Sequence, residues 1–324
     1  MEASRHRPVW LLARVAFYML VLVVVFLLRG PSLQRSGGAF RFPTESDTVT
    51  TIAVAGRELA PELIPRMVSH YHRDFPRLHV NVEDGGTVRA LEALANRKAA
   101  VGFLYRPPTA EEKAIVLSAV QDSVLYFPVA LGGIAVLANP GAAVDSVSVN
   151  DLRRFLRGQS DPRFERLYAP DPNQGLWDAF RTRLGFAGGA PVPDGVTFLK
   201  DEASVVQAVA ADPLGLGIGS TLSLPDTLEA WGVRALAVRA DDGPAAMPPE
   251  YERIGYGEYP LYHYLYAACL ANGSVRGAMF VTHLTSDRGQ RQVERAGFLP
   301  ARQTSRTIYL TRRPPGGNQS KEDE

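Results

Sequence analysis

Short apolar runs alternate with amphipathic helical segments along most of this chain, and this alternation is what most narrows its possible folds. The predicted strands cover residues 50–55, 78–82, 100–104, 134–138, 216–219, 233–238 and 259–270. The predicted helices cover 87–96, 149–156, 175–184 and 203–211, with another that opens at Pro61. Strands and helices in alternation predict an α/β fold, in which helices pack on the faces of sheets.

The composition excludes several classes of protein. At 324 residues the chain is long enough for one large or two medium domains. Its formal net charge is +1 and its basic residues form no long run, so the sequence predicts no nucleic-acid partner. The single cysteine, Cys269, excludes an internal disulfide and any metal site built from several cysteines.

The N-terminal segment differs from the rest of the chain. Residues 9–28 are apolar apart from Arg14, and about 20 residues are enough to cross a bilayer as a helix. We expect an uncleaved single-pass anchor with its N-terminus in the cytoplasm, with residues 29–47 as a linker to the rest of the chain. A cleaved signal peptide is the alternative. Residues 311–324 are predicted to be a disordered polar tail.

Three loops between a predicted strand and a predicted helix contain glycine. They hold Gly56-Arg57, Gly85-Gly86-Thr87 and Gln174-Gly175. Such loops let backbone N–H groups approach the oxygens of a small anion at a helix N-terminus. Each loop alone is a weak signal, and Thr87 is equally suited to capping its own helix.

The residue 259–270 segment is predicted to be a half-buried strand. Tyr262, Tyr264 and Tyr266 alternate with Leu261, His263 and Leu265, which places the tyrosines on one face. We interpret the tyrosine face as packing, with a ligand groove as the alternative.

The end of the chain carries the most specific motif. Ser286, Gly289 and Gln290 are followed by Gly297, Phe298 and Pro300. Together with Gly85-Gly86-Thr87 and Val101-Gly102…Arg106 upstream, this ending resembles the phosphate-binding substrate-binding proteins of ABC transporters, in order and spacing, from about residue 51 to 301.

The resemblance implies a two-lobed periplasmic-binding-protein fold of the second type, joined by a hinge. The domain would span 48–310, with lobe one formed by 48–131 and 261–310 and lobe two by 132–260. Proteins of this family bind a small oxyanion between the lobes without chemistry or cofactor, and deliver it to ABC permease subunits. The resemblance also implies that the single-pass anchor lies in a bacterial inner membrane, with the soluble part in the periplasm. The resemblance places the ligand-binding positions at or near Gly56, Arg57, Gly85, Gly86, Thr87, Arg106, Gln174 and Gly175.

Several positions that the family uses for its ligand are substituted. Where the resemblance implies an aspartate, an arginine, a serine and a threonine, this chain has Ala100, Pro170, Gln174 and Leu176. Each lost charge-assisted hydrogen bond is worth ~1.5–3 kcal/mol, so losing several should abolish ordinary phosphate affinity unless other contacts replace them. Arg57 and Arg106 are the candidates to restore positive charge. The alternative roles of these two arginines are a solvated surface residue and a structural residue at a strand end.

Two functional hypotheses therefore remain, and neither is catalytic. The first is a solute-binding component for phosphate or another small oxyanion. The second is a degenerate binding domain that has become a sensor or a protein-interaction module with a membrane partner. We find no pair of histidines with metal-ligand spacing and no nucleophile motif, so the chain is predicted not to be an enzyme.

Overall fold

The structure is a computed structural model that describes residues 50–186, 191–224 and 228–302. The predicted anchor at 9–28, the linker at 29–47 and the tail at 311–324 lie outside these residues. Among the helices that are described, none has the length and apolar character needed to cross a membrane.

The strands alternate with helices as the sequence predicts. The strands are β1 (Thr50–Ala55), β2 (Leu78–Glu83), β3 (Val101–Leu104), β4 (Val124–Ala138), β5 (Ser146–Ser148), β6 (Arg166–Pro170), β7 (Val196–Leu199), β8 (Gly215–Ser220), β9 (Arg234–Arg239), β10 (Ala246–Met247), β11 (Tyr262–Leu270) and β12 (Leu299–Pro300). The helices are α1 (Leu63–Asp74), α2 (Thr87–Ala95), α3 (Ala110–Val120), α4 (Val149–Leu156), α5 (Leu176–Arg183), α6 (Glu202–Ala210), α7 (Tyr251–Gly255), α8 (Val275–Thr285) and α9 (Asp287–Arg295).

The sheet is mixed and continuous, in the order β2-β1-β3-β11-β4-β8-β6-β7. Strands β1, β2 and β3 are parallel to one another, whereas β11 runs antiparallel to both β3 and β4. We call β1, β2, β3, β11, β12, the first part of β4 and helices α1, α2, α3, α8 and α9 the first half. The second half holds the last part of β4, from Ile134, with strands β5–β10 and helices α4–α7. Strand β4 runs through both halves.

Strand β4 is much longer than the predicted strand at 134–138. It begins at Val124 and pairs with β11 from Val124 to Gly133, then with β8 from Ile134 to Ala138. Pro128 lies inside it, next to a shift in register where Leu265 pairs with Ala130 and Tyr266 with Pro128. A bulge tolerates a proline because a ladder hydrogen bond is already missing there. The sequence prediction covered only the last part of this continuous strand.

The helices bury the apolar stripes expected from the sequence. In α1 the buried residues are Leu63, Ile64, Met67 and Tyr71, which lie on one face at helical spacing. Helix α4 begins with a capping box, in which the Ser148 hydroxyl accepts from the Asp151 N–H and the Asp151 carboxylate accepts from the Ser148 N–H. These contacts hold α1 in the first half and α4 in the second.

Candidate functional site

Two of the glycine-containing loops meet between the halves of the sheet. Gly86 precedes α2 in the first half and Gly175 precedes α5 in the second half, and no side chain caps either helix. The Thr87 hydroxyl donates to the Gln174 carbonyl oxygen at 2.7 Å and accepts from the Tyr105 N–H at 3.0 Å. Thr87 is completely buried. We call this contact between 85–87 and 173–175 the junction.

The two loops approach so closely at the junction that glycine is required on both sides. A Cβ on Gly86 would lie 2.5 Å from the Gln174 Cα and 2.7 Å from the Asn173 carbonyl oxygen. A Cβ on Gly175 would lie 2.5 Å from the Thr87 Oγ1, and its φ of +90° independently favours glycine. In this conformation the loops contact each other directly.

Gly56 and Arg57 lie at the end of β1. The Gly56 N–H donates to the Glu83 carbonyl oxygen at 3.0 Å, which ties this loop to the end of β2. The Arg57 guanidinium forms two hydrogen bonds with the Asp84 carboxylate, at 2.7 and 3.0 Å. Both side chains are about half exposed. The hydrogen bond that Arg57 donates to Asp84 raises the pKa of Arg57, and the carboxylate neutralises the charge that an anion would need.

Arg106 also forms ion pairs with carboxylates. Its guanidinium donates to both oxygens of Glu112, at 2.7 and 2.8 Å, and to Asp178 at 2.9 Å. Although burial opposes its charge, these partners raise the pKa of Arg106 overall. Burial likewise opposes the charge of Glu112, but the hydrogen bond from Arg106 and the Thr109 N–H keep the pKa of Glu112 lowered. Because Asp178 belongs to α5, Arg106 links the first half to the second.

Thr87 does not cap α2, because Gly86 occupies the capping position and Thr87 is the first helical residue. The Gln174 amide donates to the Lys200 carbonyl oxygen at 3.3 Å, so this side chain binds within its own half. The structure thus brings Gly85, Gly86, Thr87, Gln174 and Gly175 together. Gly56, Arg57 and Arg106 lie in the adjoining loops and contact them through Asp84 and Tyr105.

Sequence reasoning missed a buried polar cluster made by Tyr105, Glu202, Ser220, Ser223 and His263. The Glu202 carboxylate accepts from the Ser220 N–H and the Ser223 hydroxyl, each at 2.6 Å. The Ser220 hydroxyl lies 2.7 Å from His263 Nε2, which links β8 in the second half with β11 in the first. The His263 and Tyr105 rings make an edge contact with centroids 4.5 Å apart. The only sequence signal was the position of His263 on the buried face of its strand.

Burial controls the charge states in this cluster. It raises the pKa of Glu202 to about 7, although the bonds from Ser223 and Ser220 act in the other direction. It lowers the pKa of His263 to about 3, so this imidazole is neutral at physiological pH. Removal from water disfavours the charged form of any group that has no opposite charge beside it.

A cavity of about 830 Å³ lies beside the junction, between the two halves. Residues from the start of α3, from α5 and from one face of β11 form its walls, and they include both Arg106 and Asp178. No group of three or more acidic, histidine or cysteine residues within the described ranges could hold a metal ion.

Comparison with known proteins identifies the class of this scaffold. A family model described as the PBP superfamily domain matches residues 43–288, which is more than half of the chain, and the chain belongs to that family. It is 25% identical over 260 residues to the phosphate-binding protein PstS of Bacillus subtilis (strain 168), covering 77% of this chain and 80% of that protein.

Solved structures agree with this family at the level of the fold. A protein from Clostridium perfringens, assigned as a phosphate ABC transporter substrate-binding protein and solved with bound phosphate, superposes with a TM-score of 0.62 at 15% identity. An ABC-type phosphate transport receptor from Vibrio cholerae gives 0.59 at 16% identity. Each comparison covers 78% of this chain and 100% of the other. The resemblance predicted from the sequence is confirmed, and by its relatives the chain is a binding protein rather than an enzyme.

Proposed function

We propose that this protein is a membrane-anchored extracytoplasmic solute-binding protein that takes phosphate or another small oxyanion between two lobes. The observation that carries the proposal is the junction, where two helix N-termini without capping side chains meet across the two halves of the sheet. Backbone N–H groups and the helix dipole favour an anion at such a place. The similarity to PstS of Bacillus subtilis supports the choice of phosphate.

The binding step requires the junction to open. The Thr87 hydroxyl bridges the loops, so an anion would replace its bond to the Gln174 carbonyl and bind between Gly85–Thr87 and Gln174–Gly175. Opening would occur by rotation of a lobe at 48–131 and 261–310 against a lobe at 132–260. Strand β4, which runs through both halves, is the natural hinge for this motion.

The delivery of the ligand follows from the same proposal. The apolar segment at 9–28 would hold the protein on the outer face of a bacterial inner membrane, followed by the linker at 29–47. ABC permease subunits would then accept the solute. Localisation of a C-terminal fusion by protease protection in intact spheroplasts tests this topology, and a fusion that is shielded from protease contradicts it.

Calorimetric titration of the full-length protein in dodecyl maltoside with phosphate, sulfate and arsenate tests the binding site. We expect saturable phosphate binding that weakens at least tenfold in Thr87→Val, because valine keeps the shape but removes the hydroxyl. Thr197→Val, at an exposed position of β7, is the matched control and should leave the affinity unchanged. Binding that is identical in Thr87→Val contradicts the location at the junction.

The second candidate function is a degenerate binding domain that acts as a sensor or interaction module. It is favoured by the neutralisation of Arg57 by Asp84 and of Arg106 by Glu112 and Asp178, and by the direct contact of Gly86 with Gln174. In that case none of the oxyanions gives a binding heat. If the folded protein gives no binding heat with phosphate, sulfate or arsenate, the result would favour this second function.

A further inference from the structure

The cavity beside the junction is far larger than a phosphate ion needs. Its volume of about 830 Å³ is within the ~300–1,000 Å³ that is typical of sites for small organic molecules. Its walls come from both halves, because β11 and the start of α3 belong to the first and α5 to the second. A molecule that filled it would contact both halves at once.

One wall of the cavity is a row of tyrosine rings. Tyr262, Tyr264 and Tyr266 project from the same face of β11, with centroid separations of 6.1 Å and 5.9 Å between neighbours. All three are only partly buried, and none of their hydroxyls forms a hydrogen bond with another residue in the part of the chain that the structure describes. The face that the sequence led us to interpret as packing therefore borders an open cavity.

The cavity also contains a positive charge without a carboxylate partner. The Nε of Arg183 donates to the Tyr262 carbonyl oxygen at 2.7 Å, and its guanidinium lies 3.4 Å from the centroid of the Tyr262 ring. Among the described residues Arg183 takes part in no ion pair. Arg106, on the same cavity wall, differs in having both Glu112 and Asp178 as partners. An anion entering the cavity would therefore meet in Arg183 a cation that no carboxylate of the described residues neutralises.

We propose that this cavity is a ligand site for a small organic anion with a flat apolar body, such as an aromatic carboxylate or an aromatic phosphate ester. The anionic group pairs with the terminal amino groups of Arg183, which suit planar two-point recognition of an oxyanion. The flat body lies against Tyr264 and Tyr266, because aromatic rings favour offset or edge contacts with other rings. This site is separate from the oxyanion position at the junction and does not depend on it.

Calorimetric titration of the full-length protein in dodecyl maltoside tests the site with defined probes. Benzoate and phenyl phosphate represent the two possible anionic groups, and acetate and inorganic phosphate carry the same charges without a ring. Cyclohexanecarboxylate has a body of similar size that is not flat. We expect at least one aromatic probe to bind ten times more tightly than its ring-free counterpart and five times more tightly than the cyclohexane compound.

Matched variants locate the binding. Arg183→Gln should weaken binding of the aromatic probe at least tenfold, and Arg183→Lys should restore part of the loss because it retains the charge. Tyr264→Leu should weaken binding at least fivefold, while Tyr264→Phe, which keeps the ring, should weaken it less than threefold. Arg253→Gln, which removes an exposed arginine paired with Glu258, is the control and should have no effect.

The outcomes separate this site from the junction. Thr87→Val should leave the binding of the aromatic probe unchanged, whatever its effect on inorganic phosphate. No binding by either aromatic probe at millimolar concentrations would overturn the proposal. Binding that is insensitive to both Arg183→Gln and Tyr264→Leu, in variants whose unfolding midpoints match that of the parent, would overturn it as well.

Discussion

At the scale of single residues, the junction depends on the absence of a side chain at Gly86. Its backbone conformation is extended and open to any residue, with φ −90° and ψ −169°, so conformational freedom does not explain the glycine. The explanation is the opposite loop, since a Cβ would lie 2.5 Å from the Gln174 Cα. Gly175 differs, because its positive φ and the nearby Thr87 hydroxyl both select glycine.

Gly86→Ala should therefore separate the two loops. We expect a loss of about 1–3 kcal/mol in the free energy of unfolding, which is typical of an added methyl group in a closely packed place. Hydrogen exchange of the Tyr105 amide, which donates to the Thr87 hydroxyl, should become faster. Urea denaturation and exchange measured by mass spectrometry check both effects.

Gly141→Ala is the control, because the nearest atom to its Cβ is the Asn139 side-chain oxygen at 3.3 Å. Equal stability of Gly86→Ala and the parent would show that the loops are not in contact in solution.

Glu202 should make stability depend on pH in an unusual direction. Burial raises its folded-state pKa from 4.5 to about 7, so its stabilising effect is complete below pH 4.5 and is lost as pH rises through 7. His263 acts oppositely, because its folded-state pKa is lowered from 6.5 to about 3 and its contribution is lost as pH falls through that range. The two effects offset each other between about pH 4.5 and 6.5.

Comparison with Glu202→Gln isolates the carboxyl group. The parent should lose stability relative to Glu202→Gln by about 3 kcal/mol between pH 4.5 and 8, which is the free-energy equivalent of the pKa shift. Urea denaturation of both proteins at several pH values measures the difference. If the unfolding free energies of the two proteins differ by the same amount at every pH in that range, Glu202 titrates at its usual pKa.

At the scale of elements, the C-terminal motif is structural. Ser286 begins α9, where its hydroxyl accepts from the Gly289 N–H at 3.2 Å and donates to the His283 carbonyl oxygen at 2.7 Å. A Cβ on Gly289 would collide with the carbonyl oxygens of His283 and Leu284 at the end of α8. The buried Gln290 amide donates to the carbonyl oxygens of Val129 and Leu284, at 3.0 and 2.8 Å. These residues join α8 and α9 to β4, so the motif has a structural role in this chain.

Replacing Gln290 tests this structural role. In Gln290→Leu the buried carbonyl oxygen of Leu284 loses its donor and the Arg302 N–H loses its acceptor, while the Val129 carbonyl oxygen keeps the Ala301 N–H. We expect a loss of at least ~2 kcal/mol in unfolding free energy, because each buried polar group left without a partner costs ~1–3 kcal/mol. Thermal and urea denaturation measure it. Gln207→Leu, at an exposed position of α6, is the control. Phosphate affinity should not change in either variant at temperatures where both are folded.

At the scale of the whole described unit, the halves are connected by polar contacts as well as by β4. Arg106 of the first half binds Asp178 of the second, His263 contacts Ser220, and Arg183 binds the Tyr262 carbonyl. The ion pair among these contacts is partly buried, because the Arg106 side chain is only 12% exposed. A group of this kind stabilises the arrangement chiefly because its removal leaves the partner carboxylates uncompensated.

Arg106→Gln should consequently weaken the association of the halves. We expect a loss of about 1–3 kcal/mol in unfolding free energy, smaller than for a fully buried pair since Asp178 is 40% exposed. A double-mutant cycle with Asp178→Asn should give a coupling free energy of the same sign. Arg57→Gln, which breaks the exposed pair with Asp84, should leave the unfolding midpoint unchanged. If the losses of unfolding free energy in Arg106→Gln and Asp178→Asn add up to the loss in the double variant, the Arg106–Asp178 ion pair contributes nothing in solution.

The sequence by itself determined the α/β class, most of the strands and helices, and the family, because these follow from local periodicity and from glycines and caps at fixed spacing. It also identified the loops of Gly85–Thr87 and Gln174–Gly175, although nothing local predicted that they would touch. Only the tertiary structure decided that Arg57 and Arg106 are paired with carboxylates up to 72 residues away. It also decided that the tyrosine face of β11 borders a cavity, and that Glu202 and His263 share one buried cluster. The physical reason is that charge pairing, desolvation and empty space depend on which distant residues come together, and periodicity along the chain carries no information about that.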